Sequence, residues 1–157
     1  MATLPPRVLR PASPSDLEAL ERLEEVCFQE RRFRRDHLSW ILHHPSAFTI
    51  LDEDRVLRGA VMALTEAESV RILSVAVAPP FRRRGVGRAL MEAAEAFARN
   101  RGARALRLEV GVSNTAAIAL YRSLGFRASG LLYAYYSWGE DAHEMVKTLA
   151  RQEAPRP

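Results

Sequence analysis

Apolar side chains recur at helical spacing near the start of the chain, and this pattern predicts a helix that runs to about Phe28. Its apolar positions are Leu17, Leu20, Leu23 and Cys27. Ser15 and Glu18 form a capping-box pattern, in which the serine caps the helix start and the glutamate returns the hydrogen bond. A second short helix is predicted from Asp36, as its cap, through His43.

Apolar and β-branched runs predict strands around and after these helices. The predicted strands cover residues 8–10, 48–51, 56–64, 70–78, 105–110, 126–131 and 143–149. The acidic run Asp52-Glu53-Asp54 reads as the turn of an antiparallel hairpin. Two further helices are predicted over residues 84–100 and 115–124, and a glycine closely follows each of them. The resulting order, β-α-α-β-β-β-α-β-α-β-β, predicts an α/β fold with a mixed central β-sheet and helices on both faces.

Length and composition narrow the class of protein. The 157 residues fit one domain, residues 1–157, with a core at about residues 7–150. Lysine and arginine number 23 against 19 acidic residues, a net charge of +4, and arginine is spread along the whole chain, so no direct nucleic-acid binding is expected. Cys27 is the lone cysteine, and no apolar run approaches the roughly 18 residues of a membrane span. We therefore expect a cytoplasmic protein with no internal disulfide and no membrane partner.

The segment Arg82-Arg83-Arg84-Gly85-Val86-Gly87-Arg88 carries the most informative chemistry, because it joins a predicted strand to a predicted helix. Helix N-termini present unpaired N–H groups and partial positive charge, and therefore bind anions. Gly85 and Gly87 allow a phosphate to approach the backbone, and the arginines add charge and fork-shaped donors. On these residues alone, a solvated basic face at an ordinary helix start is an equally good interpretation.

Further motifs in the same order resemble the GNAT superfamily of N-acetyltransferases, and within it the RimI and archaeal Ard1 branch, which acetylates protein N-termini. The matching segments are R-R-x-G-x-G-R-A after the strand, L-E-V at residues 108–110, S-N-T-A-A-I-A-L-Y at 113–121, G-F at 125–126, Y-Y at 135–136 and G-E-D-A at 139–142. Ala134 stands where the branch has a glycine before the tyrosine pair. The resemblance is strong over residues 73–145 and weak in the first third of the chain.

The resemblance implies a single-domain GNAT fold, acetyl-CoA as cofactor and a set of cofactor-binding residues. In this family, Val75, Ala76 and Val77 would lie on the strand that splays from its neighbour and pairs with the pantetheine arm. A backbone N–H of that strand would polarise the thioester carbonyl. Asn114 would contact the cofactor, in addition to its structural role as a helix cap. The pyrophosphate would be held by Arg82, Arg83, Arg84, Gly85, Val86, Gly87 and Arg88.

Two residues are candidates for the proton transfers. The resemblance makes Glu109 the base that deprotonates the amine through water, whereas strand alternation alone would place it on a solvent face. Tyr121 is the candidate acid for the departing thiolate, although a half-buried aromatic residue packing beneath a sheet is the structural alternative. Cys27 lies on an apolar helix face, so we expect direct transfer without an acyl-cysteine intermediate. The histidines lack the spacing of a metal site, and none is expected.

The acceptor is less well defined than the cofactor. Tyr135 and Tyr136 would line its groove, with strand packing as an equal alternative, and Glu30 matches a peptide-contacting glutamate only loosely. The primary expectation is transfer to a protein N-terminus, with a ribosomal protein among the candidates. A small-amine acetyltransferase of the polyamine or aminoglycoside type and a non-catalytic acyl-CoA-binding sensor are the alternatives. Both monomer and homodimer stay open, as does the role of the Arg31–Arg35 cluster.

Overall fold

The computed structural model describes residues 8–150. Within this range the chain forms seven strands and four helices, in the order predicted. They are β1 Leu9–Pro11, α1 Leu17–Phe28, α2 Arg35–His43, β2 Ala47–Asp54, β3 Val56–Glu66, β4 Ser69–Val77, α3 Val86–Asn100, β5 Ala105–Gly111, α4 Thr115–Ser123, β6 Arg127–Leu132 and β7 Ala142–Thr148. No helix in residues 8–150 is both long enough and apolar enough to cross a membrane.

The strands form one mixed sheet in the order β1-β2-β3-β4-β5-β7-β6. The pairs β1/β2, β2/β3, β5/β7 and β6/β7 are antiparallel, whereas β4 and β5 are parallel. This confirms the predicted α/β class. The parallel pairing is short: Ser69, Val70 and Arg71 of β4 are in register with Ala105, Leu106 and Arg107 of β5.

Both predicted helix caps in the first third of the chain were wrong. The capping box is formed by Ser13 with Asp16 around a 3₁₀ turn, where the Ser13 N–H donates to Asp16 Oδ2 at 2.8 Å. Ser15 lies inside this turn, and its hydroxyl contacts that of Ser13. Asp36 is in the first turn of α2 rather than at its cap, because the helix already begins at Arg35. Both errors are shifts along the chain of one or two residues, and neither moves a helix.

The predicted hairpin between β2 and β3 is confirmed, but its turn was misplaced. Residues 52–54 belong to β2, and the chain reverses at Arg55, which has a φ of 62°. The ladder also shifts register between Asp52 and Glu53. Asp52 is completely buried and accepts a hydrogen bond from Arg58 Nε at 2.7 Å. This buried ion pair therefore keeps residues 52–54 in the strand, although an acidic run usually favours a turn.

The described chain divides into two compact units. The first comprises the described residues up to Leu64 together with Leu73–Ala94. In this unit, α1 and α2 cover one face of the strands, and their buried residues pack in a cluster with Leu51, Ala60, Met62 and Ala76. On the other face, a Cβ atom at Gly59 would lie 3.0 Å from side-chain atoms of both Val86 and Leu90 of α3. Helices thus cover both faces, as predicted, and Gly59 permits the close approach of α3.

The second unit comprises Thr65–Ile72 and the described residues from Glu95 onward. Leu106, Leu108 and Val110 of β5 are buried, and Arg107 and Glu109 alternate onto the opposite face. Antiparallel pairing with β7 extends along all of β5. The charged face of this strand is therefore fixed in register with its neighbours.

Candidate active site

The loop between β4 and α3 ends in a helix start that is well suited to an anion. Gly85 has a φ of 81°, which glycine adopts without the steric cost that a Cβ atom imposes. Its carbonyl accepts the first helical hydrogen bond, from the Ala89 N–H at 3.0 Å. The helix begins at Val86, two residues later than predicted. The N–H groups of Val86 and Gly87 precede the first helical bond and have no acceptor within the helix.

Four arginines belong to this loop and to the first turn of α3. Arg82, Arg83, Arg84 and Arg88 are all exposed. Arg83 has a φ of 62°, a left-handed conformation that is uncommon for a residue with a side chain. Arg82 folds back, and its Nε donates to the Val77 carbonyl at 2.9 Å. The loop thus combines backbone donors, helix-dipole charge and guanidinium groups, which together favour a phosphate-containing ligand.

The backbone of β4 offers further hydrogen-bonding groups next to this loop. The Ala78 N–H donates to the Arg58 carbonyl of β3 at 2.8 Å. Because N–H and C=O directions alternate along a strand, the backbone groups of Val75 and Val77 point away from β3. Ala76 differs from both: its side chain is buried in the core, and its carbonyl lies close to Gly59. Of these three predicted cofactor residues, Val75 and Val77 therefore have backbone groups on the edge away from β3, where the Val77 carbonyl accepts hydrogen bonds from Arg82 Nε and the Cys27 thiol.

Glu109, the predicted base, lies on the charged face of β5 with its side chain 13% exposed. Its Oε2 accepts a hydrogen bond from Arg71 Nε at 3.1 Å. Burial disfavours the charged guanidinium, but the hydrogen bond and charge of Glu109, with the charges of Tyr135 and Glu66, outweigh that effect and raise the pKa of Arg71. Glu109 is therefore a largely covered carboxylate with an arginine partner, and not the solvated strand residue that alternation alone predicts.

Tyr121, the predicted acid, lies half-buried near the end of α4. Its ring packs against Phe126, with 5.9 Å between the ring centroids. Burial, reinforced by the nearby Tyr136, raises the pKa of Tyr121 to about 12. The phenol therefore keeps its proton at neutral pH and is available as a hydrogen-bond donor.

Asn114 caps α4, as predicted. Its side-chain oxygen accepts a hydrogen bond from the Ala117 N–H at 3.2 Å, and the residue is exposed. The cap gives Asn114 a structural role, and its side-chain NH₂ group can still contact a ligand.

Tyr135 and Tyr136 lie in the loop between β6 and β7, outside the strands. The Tyr135 hydroxyl accepts a hydrogen bond from Arg71 Nη2 at 2.7 Å. Tyr136 packs edge-on against Tyr135 and stacks on Trp138, with centroid distances of 5.0 Å and 4.5 Å. Burial, with the charges of Tyr135, Glu140 and Glu109, raises the pKa of Tyr136 to about 12. The loop is thus an aromatic cluster, and one of its hydroxyls shares an arginine with Glu109.

The loop conformation explains why a glycine is typical before the tyrosine pair. Ala134 has a φ of 48°, in the left-handed region that favours glycine. Its N–H donates to Asp141 Oδ1 at 2.8 Å, and Glu140 contacts the Ser113 N–H at 3.1 Å. A Cβ atom at Gly111 would lie 2.6 Å from the Glu140 carboxylate, so a larger residue here would displace that side chain. The acidic pair of the G-E-D-A segment therefore holds the loop in place, a role that the sequence did not reveal.

Glu30 belongs to the first unit and has contacts within its own basic segment. Its side chain is 88% exposed and forms ion pairs with Arg34 at 3.3 Å and Arg32 at 4.0 Å. A solvated charge in a basic segment describes it well, and its predicted contact with the acceptor stays a prediction.

Glu24 is a buried acid that the sequence did not single out, although it lies on the apolar stripe of α1. Its side chain is 1% exposed and accepts a hydrogen bond from Ser74 Oγ at 3.2 Å. Its second oxygen has no hydrogen-bond partner among the described residues. Burial outweighs the hydrogen bond from Ser74 and raises the pKa of Glu24 to about 7. The carboxyl group is thus half-protonated near neutral pH.

Replacing Glu24 with glutamine should change how stability depends on pH. In the unfolded chain a glutamate has a pKa of about 4.3, so between about pH 4.5 and 7 the folded state binds more protons than the unfolded state. The free energy of unfolding of the parent protein should therefore fall by about 3 kcal/mol across this interval relative to Glu24→Gln. Urea unfolding at several pH values measures the difference. A difference that stays constant would contradict the burial of an ionisable group here, and Glu25→Gln, at the exposed neighbouring position, is the matched control.

The site contains no candidate metal centre in the described part of the chain. Over residues 8–150, no group of three or more histidine, cysteine, aspartate or glutamate side chains is arranged to hold an ion. Cys27 is half-buried, its thiol donates to the Val77 carbonyl at 3.4 Å, and burial raises its pKa. It is therefore a protonated thiol within the packing of α1 against β4.

The α/β fold, in which β4 leads into a glycine-containing helix start, matches that of solved acetyltransferase structures. The chain belongs to the acetyltransferase (GNAT) family, whose model matches residues 16–126. It is an enzyme of the acyltransferase class, and its cofactor is acetyl-CoA.

Similar proteins are named as N-acetyltransferases. An uncharacterised N-acetyltransferase of Methanocaldococcus jannaschii is 30% identical over 94% of this chain and 96% of its own length. An N-alpha-acetyltransferase of Sulfolobus acidocaldarius is 30% identical over 90% of this chain and 92% of its own length. The crystal structure of the ribosomal-protein-S18-alanine N-acetyltransferase of Escherichia coli superposes with a TM-score of 0.86 at 25% identity, covering 97% of this chain and 99% of that one.

Proposed function

We propose that this enzyme transfers the acetyl group of acetyl-CoA to the N-terminal α-amino group of a protein, by direct attack without an acyl-enzyme intermediate. The main support for this proposal is that Arg71 contacts both Glu109 and Tyr135. These contacts bring the covered carboxylate of the candidate base together with the aromatic loop that is proposed to contact the acceptor. The names of the similar archaeal and bacterial proteins support the same acceptor. A ribosomal protein is one candidate partner.

In this proposal, the loop from Arg82 to Arg88 holds the cofactor pyrophosphate. The N–H groups of Val86 and Gly87 bind its oxygens, and the arginine side chains neutralise its charge. The pantetheine arm pairs with the outward backbone groups of Val75 and Val77, and an N–H of this edge polarises the thioester carbonyl. Asn114 adds a contact to the cofactor while it continues to cap α4.

Glu109 is proposed to deprotonate the acceptor. An α-amino group has an ordinary pKa of about 7.7–8.0, so a carboxylate acting through a water molecule need remove only one proton to produce the neutral nucleophile. The amine nitrogen then forms a bond to the acetyl carbon, and the bond from that carbon to sulfur breaks. The first proton removed from nitrogen passes through water to Glu109 and from there to solvent. The second proton leaves nitrogen as the carbon–sulfur bond breaks and is balanced by the proton that the thiolate takes up.

Tyr121 is proposed to assist the departing thiolate. Because its pKa is raised to about 12, the phenol is protonated at neutral pH and donates a hydrogen bond to the developing negative charge on sulfur. A free thiol has an ordinary pKa of about 8.5, so at neutral pH the thiolate takes up a proton from water as the product leaves, equivalent to the second proton that the nitrogen has lost. Burial of Tyr121 thus supports a donor role and argues against a role as base.

The acceptor peptide is proposed to contact the loop between β6 and β7. Tyr135 and Tyr136 present hydroxyl groups and ring faces that suit a peptide backbone and its first side chain. Glu30 is the remaining proposed contact, through its exposed carboxylate.

Replacing Gly87 with leucine should selectively weaken the use of acetyl-CoA. The new side chain would stand where the pyrophosphate approaches the backbone, and loss of one charged hydrogen bond costs about 1.5–3 kcal/mol. The KM for acetyl-CoA should therefore rise by at least about tenfold, with little change in the KM for the acceptor. Steady-state kinetics with each substrate varied in turn measure both values. Equal effects on the two KM values would contradict the assignment, and Gly130→Leu, on exposed β6, is the control.

The acceptor class can be tested with purified enzyme, acetyl-CoA and a mixed panel of amines. The panel contains peptides with a free α-amino group and no lysine, N-terminally blocked peptides with one lysine, spermidine and an aminoglycoside. Mass spectrometry of the products should show acetylation of the first group at the α-amino nitrogen. Acetylation confined to lysine or to the small amines would overturn the proposed acceptor, and turnover of no amine at all would favour a non-catalytic acyl-CoA sensor.

A further inference from the structure

Arg71, in the second unit, contacts three other side chains, and neither the family motifs nor the strand pattern predicted this arrangement. Its Nε donates to Glu109 at 3.1 Å and its Nη2 donates to the Tyr135 hydroxyl at 2.7 Å. The third nitrogen, Nη1, lies 3.8 Å from Glu66 Oε1. The guanidinium group is thus oriented from three sides, which suits its planar fork of donors and restricts its rotation.

Strand register explains why Glu109 needs such a partner. Glu109 of β5 is directly opposite Glu144 of β7. Like charges at directly opposed positions repel each other. Each carboxylate is matched by its own arginine: Arg71 contacts Glu109, and Arg107 contacts Glu144 at 3.4 Å. Loss of Arg71 would leave two carboxylates with one arginine and remove the donor that fixes the orientation of Glu109.

The same side chain connects Glu109 to the aromatic loop. Local hydrogen bonds from Ala134 to Asp141 and from Tyr136 to Glu140 shape this loop. The contact between Arg71 and Tyr135 joins it to β4, 64 residues away along the chain. A displacement of the loop that moves the Tyr135 hydroxyl therefore acts on the arginine that holds Glu109.

We propose that Arg71 is a positioning residue that sets the carboxylate of Glu109 and the Tyr135 loop in one fixed arrangement for the acceptor amine. The inference rests on the proposed role of Glu109 as base. Arg71 moves no proton itself; it orients the group that does. Misplacement of a reacting group by about 1 Å can lower a rate by about 100-fold, and a loss of this order is expected when Arg71 is removed.

The test compares Arg71→Ala with Arg107→Ala, which removes the equivalent arginine from the neighbouring carboxylate pair. Arg71→Ala should lower kcat for an N-terminal peptide by about 100-fold, with the KM for acetyl-CoA unchanged. Added guanidinium ion should restore part of that rate, and Arg71→Lys should retain more activity than Arg71→Ala. Arg107→Ala should retain kcat near that of the parent and gain nothing from guanidinium. A structural defect would not produce this combination of an unchanged KM and chemical rescue.

Coupling to the loop is tested with Tyr135→Phe. Alone it should lower kcat, and in the Arg71→Ala background it should lower kcat by a smaller factor, because the shared contact is already lost. Equal kcat losses in Arg71→Ala and Arg107→Ala, or fully independent effects of Arg71→Ala and Tyr135→Phe, would overturn the inference. Failure of the proposed function gives a different result: the parent protein would not acetylate the peptide, or Glu109→Gln would be as active as the parent.

Discussion

Glu109→Gln is expected to lower kcat for an N-terminal peptide by about 100- to 10,000-fold, the usual contribution of a positioned general base. Glutamine keeps the shape of the side chain and can still accept a hydrogen bond from Arg71, but it cannot take a proton from the acceptor amine. The KM for acetyl-CoA should stay the same, because the proposed cofactor contacts lie on the loop after β4 and on its backbone edge. Steady-state kinetics combined with calorimetric binding of coenzyme A separate the two effects.

Glu144→Gln is the matched control for this change. Glu144 is directly opposite Glu109, on the same face of the paired strands, and also contacts an arginine. It has no proposed part in proton transfer, so its replacement should leave kcat within a few-fold of the parent value. Similar losses in the two variants would indicate that charge balance on this face, and not the position of one base, limits the reaction.

Asp52→Ala is expected to reduce the free energy of unfolding by about 3–5 kcal/mol, the usual cost of leaving a buried charge without its partner. Asp52 is completely buried and Arg58 is 1% exposed, with 2.7 Å between Oδ1 and Nε. Two other nitrogens of Arg58 have no hydrogen-bond partner among the described residues. The guanidinium group therefore depends heavily on Asp52. Urea unfolding, with the slope of free energy against urea compared between variants, measures the loss.

Glu53→Ala is the control for the loss of stability expected in Asp52→Ala. Glu53 is the next residue along β2, and it pairs with Arg10 at 3.1 Å with its side chain 40% exposed. Exposed ion pairs contribute roughly 0–1 kcal/mol, so a small effect is expected. The double variant Asp52→Leu with Arg58→Met should recover much of the stability lost in Asp52→Ala, because no charge is then buried. A loss in Asp52→Ala no larger than in Glu53→Ala would contradict the account of this pair.

The helices and strands were predictable because their signals are local. Apolar spacing located α1, and glycines marked the ends of α3 and α4. The turn at Asp52-Glu53-Asp54 was wrong for a reason that no local pattern contains: Asp52 is paired with a buried arginine, and the reversal falls at Arg55. Acidic residues favour turns because they are usually solvated, and this one is not.

In the candidate site, too, the local features were predictable and the long-range contacts were not. The helix start after β4 was predictable because strand, glycines and arginines are consecutive in the chain. The Arg71 contacts join residues that are 38 and 64 positions apart, so the sequence could suggest Glu109 and Tyr135 but not their common partner. Glu24 is an intermediate case. Its position on the apolar stripe of α1 was predictable from the sequence, but its contact with Ser74, 50 positions away, was not.

Isothermal titration calorimetry of coenzyme A and of pantetheine tests whether the helix start at Gly85, Val86 and Gly87 binds the diphosphate. Pantetheine keeps the arm and thiol but lacks the diphosphate and nucleotide. Coenzyme A should bind much more tightly than pantetheine to the parent protein, and Gly87→Leu should remove most of this difference. If coenzyme A and pantetheine bound equally well, or if Gly87→Leu bound coenzyme A as the parent does, the assignment of this loop would be contradicted.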